Sequence, residues 1–531
     1  MKNRRKSFFF SALVAIGAAQ CGVVSRDWAD GKLHMKLDDG DAVIEWISPN
    51  AFRMARTWGA PQQLSRIAHE SIAPQFEDAG QTLTMRSRYL TVAVARGDVK
   101  LEISAGAGGL TSIGSAKSEE AVELRWAPGA DERVFGLMGG NTGKLNLRGE
   151  KLERERGLFF TSAGYGMYVR SPQRCTFDLN SGAITARGAN SIEFFFYYGP
   201  APKEVLEQHA LVNPQVEVKG TALDVLPPER LPKPATPLAQ GTVNSWEQLA
   251  ALVRRMNQWS LSGVIYPALD LASFDAAPDA VKARASDLAT LFPIVYRTSG
   301  EGGVDAAARA EWIPYLLTYL REAYDRGYPL IRPLPMQFWR DADSDAQADI
   351  FMLGDEVLLA PVLDGSARRK LDLPRGIWTD LRTNQEYRGR QAIEVDAPAG
   401  SVPMFVRNGW IVPLAGKNAM ELHYFPSLGA EFFLWEPDLE DNSQFHAAPA
   451  DDFLRVEVES KKRRTYEWIL HHIPTPREVA EEAGAYARVD SRANLRPGTW
   501  WHDDAQNNLH LMLRADPGTD RVVNISFAAA R

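Results

Sequence analysis

Between Ala235 and Gly327 the sequence changes texture, and the length of that stretch limits what the chain can build. Asn244 and Glu247 stand at capping-box spacing beside Trp246, Leu249, Val253 and Met256, which recur at helical intervals. GVIYPAL (263–269) reads as a buried strand, followed by a second helix near 275–291, a strand at FPIVY (292–296) and a long helix over 306–326. Gly327 is placed to close that helix and Pro314 to kink it. Such alternation builds parallel sheet. A closed eight-stranded barrel takes roughly 250 residues, about 30 for each βα repeat, whereas 235–327 supplies 93. The stretch is therefore expected to form an incomplete (β/α) barrel of about three βα units.

On both sides the pattern is strand-like, so the fold class is multidomain β plus α/β. From 21 to 218, segments such as DAVIEWISP, LTVAVARGDVKLEIS and SIEFFFYYG end at Gly, Pro, Asn or Asp, which predicts an N-terminal β-sandwich. A proline-rich linker occupies 219–234, and the five prolines from Pro227 to Pro237 bar a continuous helix or a central strand. Two further strand-rich blocks, 328–424 (VLLAPVL, RKLDLP, VPMFVRNGWIVPL) and 425–531 (EFFLWEP, FLRVEVES, LHLMLRA), read as two C-terminal β-sandwich domains. An open βα fragment exposes strand edges, so the linker or the N-terminal sandwich is expected to pack against it.

Residues 1–20 read as a signal peptide. Lys2, Arg4, Arg5 and Lys6 precede a twelve-residue apolar run from Phe8 to Ala19, short for a bilayer span. Gly17-Ala18-Ala19-Gln20-Cys21 resembles a bacterial lipoprotein cleavage site, with Gln20 where a small residue is usual. Lipid attachment at Cys21 and plain cleavage after Ala19 are the alternatives; either implies export, to the cell envelope or as a secreted protein. Membrane contact is expected only through that lipid. With Cys21 acylated, Cys175 has no partner in the chain, which leaves no disulfide framework and no thiolate metal site. A net charge of −7, with Lys and Arg dispersed, excludes a nucleic-acid partner.

Several constellations are structural. GAGG (106–109) lacks a following helix and a Lys-Ser/Thr pair, so it is a hairpin turn rather than a phosphate loop. DADSDAQAD (341–349) has calcium-loop spacing but carries Ala346 at the sixth position and Met352 at the twelfth, so a solvated acidic loop is expected. No cofactor or metal is expected. No histidine lies between His209 and His423, which removes imidazole chemistry from the βα segment. His471 and His472 read as structural residues of a strand, pointing to opposite faces. Trp378, Trp435, Trp500 and Trp501 read as packing residues of the sandwiches. Carboxylates remain: Asp270 closes the strand GVIYPAL, where catalytic groups of α/β folds collect, while Asp275 and Asp279 open the next helix and suit its dipole.

An ordered set of motifs resembles glycoside hydrolase family 31, the α-glucosidases and α-xylosidases. RAEWIPYLLTYLREAYDRGYPLIRPL (309–334), FMLGDEVLLAPVL (351–363), LPRGIWTD (373–380), YRG (387–389) and VPMFVRNGWIVPL (402–414) resemble its barrel exit and first C-terminal β-domain; FLWEPDLEDNS resembles the start of its distal β-domain. RVFGL, LNLRG, FFTSAGYGMYV and YYGPAPKEVL resemble its N-terminal, galactose mutarotase-like sandwich. The resemblance implies retaining hydrolysis of α-glycosidic bonds by two carboxyl groups about 5 to 5.5 Å apart.

The departures lie where that chemistry belongs. The segment that carries the family's nucleophile should follow the proline-rich linker and has no counterpart. GTVNSWEQL resembles the family's Gly-Asp-Asn segment, which places Thr242 at the acid/base position, and a hydroxyl cannot act as a carboxylic acid does. Asp270-Leu-Ala-Ser-Phe274 resembles the sugar-holding Asp-Ile-Gly-Gly-Phe, with Ala272 and Ser273 in place of the glycines, so Asp270 and Phe274 are the expected substrate-binding residues and no catalytic residue is assigned. The family's substrate histidine falls on Thr298 or Ser299. The expected protein is a degenerate glycosidase acting on or near α-linked glycans, impaired or inactive. The alternatives are a non-catalytic envelope lipoprotein that binds glycans or a protein, and an active glycosidase with an unrecognised carboxylate.

Overall fold

The computed structural model describes residues 22–60, 64–67, 72–140, 142–217, 225–232, 235–238 and 241–527. The expected signal peptide and Cys21 lie outside the described residues. Fifteen strands from Val23–Ala29 to Ser191–Tyr198 form one antiparallel sheet. Alternation drives it: Leu33, Met35 and Leu37 are buried while His34 and Lys36 face out. The sheet curls until its edges meet. Trp28 of the first strand stacks on Phe76 of the opposite edge at 4.9 Å, and Arg26 and Arg96 both bind Asp78 of that edge. GAGG forms the hairpin turn between Leu101–Ala105 and Gly108–Lys117.

The central segment contains three parallel strands, β1 (Thr236–Pro237), β2 (Pro267–Asp270) and β3 (Ile294–Tyr296), with α1 (Trp246–Ser260), α2 (Asp279–Thr290) and α3 (Ala306–Arg326). The start of α1 corrects the expected cap by one residue: Ser245 is the N-cap and accepts from Gln248 N, while Gln248 Oε1 accepts from Asn244 N. Pro314 lies inside α3, and Gly327 ends it at φ 72°.

The proline-rich stretch closes both edges of this small sheet. Thr236 N and Leu238 N donate to Tyr266 O and Ala268 O, so the missing N–H of Pro237 falls on the outer side, where a sheet tolerates proline. At the other edge Leu226 N donates to Val295 O and Arg297 N to Leu226 O. One face packs Leu269 and Val295 into the large core shared with the helices and C-terminal sheets; the other packs Ala268, Ile294 and Tyr296 with Leu226, Leu320 and Ala323. Among the described residues from 235 to 327 no large apolar side chain is exposed. Buried Arg309 of α3 donates to the carbonyls of Thr290 and Phe292 at the end of α2, and Arg284 of α2 donates to those of Ala397 and Pro398 in the C-terminal region.

C-terminal to α3 the chain is β-sheet. Six strands between Ile331 and Arg407 form one sheet, and Arg368–Leu373 pairs with Gln391–Asp396. Two six-stranded sheets complete the chain. Trp410–Ala415, on the proximal side of the 424/425 boundary read from sequence, and Met420–Phe425, which runs across it, join the sheet that contains Arg464–Leu470. His471 and His472 correct the sequence reading: the strand ends at Leu470, and both lie in the following turn, His472 with φ 52°. The protein is thus multidomain and mostly β, with a short parallel βα segment between antiparallel sheets.

Candidate functional site

The C-terminal ends of β1, β2 and β3 bring Thr242, Asp270 and Thr298 to one edge. Asp270 ends β2 and caps the 3-10 turn Leu271–Phe274. Its Oδ1 accepts from Ala272 N at 3.0 Å and Thr298 N at 3.1 Å, and its Oδ2 accepts from Thr298 Oγ1 at 2.7 Å. The carboxylate therefore ties the β2 and β3 loops together. Thr242 is exposed, and its neighbour Val243 donates to Ser273 O at 2.7 Å, which fixes the loop after β1 over the same turn.

The other sequence-assigned residues are placed differently. Phe274 is only 4% exposed and belongs to the large core, and it also lines a small pocket with Leu271, Asp275 and Arg297. Asp275 does not open α2; it follows the 3-10 turn, and both its oxygens accept from Arg297 at 2.9 and 3.0 Å. Asp279 is the first residue of α2, as expected. Trp378 and Trp500 are buried. Among the described residues no group of three or more His, Cys, Asp or Glu could hold a metal ion.

A second polar cluster, not singled out from sequence, lies where the N-terminal sheet, α3 and the C-terminal region meet. Buried Arg332 binds Asp355 and Glu322, and Asp355 also accepts from Lys203 and Gln337. Burial opposes ionisation of Asp355, but the charges of Arg332 and Lys203 outweigh it and hold the carboxyl well below its ordinary range. The adjacent Glu356 is 2% exposed and meets the hydroxyls of Tyr315 and Tyr319 at 2.6 Å. Burial, and then the charge of Asp355, push its carboxyl up to about 7. Gly354 makes the turn at φ 63°, and a Cβ there would collide with both tyrosines. The sequence signal was a pair of adjacent acids, GDE, between two apolar strands.

Residues 327–412 match the family model of the glycosyl hydrolase family 31 C-terminal domain. The chain is 28% identical over 162 residues to alpha-glucosidase 2 of Bacillus thermoamyloliquefaciens, covering 28% of this chain and 20% of that protein. It is 26% identical over 198 residues to an alpha-glucosidase of Saccharolobus solfataricus, covering 33% and 28%. The aligned part is thus less than a third of either relative. The fold is similar to that of a Flavobacterium johnsoniae GH31 dextranase mutant complexed with isomaltotriose, with a TM-score of 0.81, 14% identity, and coverage of 96% of this chain and 100% of that one. Sheet architecture and matched domain together define a chain with a GH31-like fold. Within the chain, the family match itself is to residues 327–412, the C-terminal domain of glycosyl hydrolase family 31.

Proposed function

We propose that this protein binds α-linked glucosaccharides and does not hydrolyse them by double displacement. The carrying observation is the state of the strand-end carboxylate: Asp270 has its oxygens engaged by Ala272 and Thr298, and the position expected to supply the acid/base holds Thr242. A retaining mechanism takes two carboxyl groups free to protonate and to attack. The short parallel segment, an incomplete barrel in this reading, keeps the strand-end edge while its missing part would have carried the nucleophile. Support for the ligand class comes from the α-glucosidase relatives and the isomaltotriose complex of the similar dextranase.

The test is prolonged incubation of the purified mature chain with aryl α-glucoside and α-xyloside, alongside calorimetric titration with isomaltotriose. Saccharide binding without turnover supports the reading. Turnover abolished by Asp270→Asn would refute it, because a working catalytic pair would then include that residue. Asn can still accept from both backbone amides, so the variant keeps the loop geometry. Export with a lipid on Cys21 belongs to the same proposal; Cys21→Ser is expected to abolish fatty-acid labelling and release the protein from membranes.

A further inference from the structure

A cleft of about 430 Å³ lies between the loop that follows the strand Ile331–Pro333 and the paired strands Arg368–Leu373 and Gln391–Asp396. It shares no lining residue with the strand-end edge of Asp270. Its volume is within the roughly 300–1,000 Å³ of small-molecule sites. Its charged lining is balanced, with Arg340, Arg375 and Arg390 against Asp341, Asp343 and Asp372.

The walls are preorganised from outside the cleft. Arg133 of the N-terminal sheet region donates to the carbonyls of Trp339, Asp341 and Ala342, to Ser344 Oγ and to Asp345 Oδ1, all within 3.2 Å. Gln347 then joins the two walls: its Nε2 donates to Asp372 O and its Oε1 accepts from Asp372 N, each at 2.8 Å. Arg390 is held in the left-handed region at φ 59° by the hydrogen bond from its N–H to Leu373 O.

Within this frame Asp341 is held only by two long ion pairs. Its side chain is 14% exposed, and no hydrogen bond reaches its carboxylate among the described residues. Arg375 Nε stands 3.7 Å away and Arg390 Nη2 3.8 Å away, close enough to attract and too far to donate. A hydroxyl that donates to the carboxylate and accepts from a guanidinium completes both. A cleft with no net charge in its lining has no reason to prefer an ion, and one with opposed donors and acceptors matches a ligand carrying several hydroxyls.

We infer that this cleft is a binding site for a neutral saccharide, held by hydroxyls bridging Asp341 to Arg375 and Arg390. The inference rests on the saccharide-binding reading above and adds a location to it. The test is calorimetric titration of the full mature chain with isomaltotriose, using Arg375→Ala/Arg390→Ala, Asp341→Asn and Asp270→Asn. Both arginines are at least 49% exposed, so their replacement leaves the core intact. The expected result is about a tenfold or greater weakening in the arginine double variant and in Asp341→Asn. Binding lost in Asp270→Asn but kept in the cleft variants overturns the cleft and leaves the saccharide reading standing. Equal loss in all variants overturns an independent cleft site. Absence of binding by the wild type overturns both readings.

Discussion

Replacing Glu356 by glutamine should change how stability depends on pH. Glu356 is buried, and its carboxyl is raised from 4.5 to about 7 in the folded protein. Below pH 4.5 both folded and unfolded chains hold this proton. Between 4.5 and 7 the folded chain keeps it while the unfolded chain has lost it, so stability falls as pH rises; above 7 both are ionised and the slope ends. At 1.36 kcal/mol per unit, the window amounts to about 3 kcal/mol. The hydrogen bonds have the same sense. Tyr315 has one hydroxyl proton and two acceptors, Leu353 O and Glu356 Oε2, each at 2.6 Å. A protonated Glu356 can donate to the tyrosine oxygen while the tyrosine donates to Leu353. Glutamine reproduces that arrangement with its amide N–H and carries no titrating proton. Urea denaturation of wild type and Glu356→Gln at pH 4.5, 6, 7 and 8 isolates the effect, since other titrating groups cancel in the difference. The variant should gain on the wild type by about 3 kcal/mol from pH 4.5 to 8. Parallel profiles would refute the reasoning.

Three further outcomes are expected. His209, between Tyr197 Oη at 3.2 Å and Asn213, is driven down to about 3 by burial and then by Arg170; the stability it holds above pH 6.5 should fade by about 5 kcal/mol as pH drops to 3, and His209→Gln should remove that slope in acid denaturation. Tyr266 has a buried hydroxyl with no hydrogen-bond partner among the described residues, so Tyr266→Phe should leave thermal stability unchanged or raise it by about 1 kcal/mol. Phe274→Ala should cost about 3–5 kcal/mol in denaturation, because its ring fills the core; a sugar-facing ring would give a small loss of stability instead.

Short-range pattern made the architecture legible. The alternation of Leu33, Met35 and Leu37, the helical spacing in α1 and the glycine after α3 each act within a few residues. The limit of three parallel strands came from chain length alone. The cap of α1 was read one residue early because Asn244 and Ser245 are both good caps, and the choice between them depends on Gln248. His471 and His472 were read into a strand that stops at Leu470, a boundary that periodicity does not mark. At the candidate site the position of Asp270 at a strand end was legible, but its bonds to Thr298, 28 residues away, were not. Phe274, assigned by motif to a ligand, has most of its ring in the core, a burial that the motif does not signal.

The sequence by itself determined the order of elements and the brevity of the βα segment, because periodicity, turn residues and length are local or additive properties. Only the tertiary structure decided how a fragment of a parallel sheet is sealed. Leu226 and Thr236 lie ten residues apart around a proline-rich stretch, yet they pair with opposite edges of the same sheet. It also decided that Arg133 pins a loop 206 to 212 residues away, and that the Glu356 carboxyl is pushed up while that of adjacent Asp355 is held down. Charge, burial and hydrogen-bond partners converge from distant parts of the chain, and no local pattern in the sequence encodes that convergence.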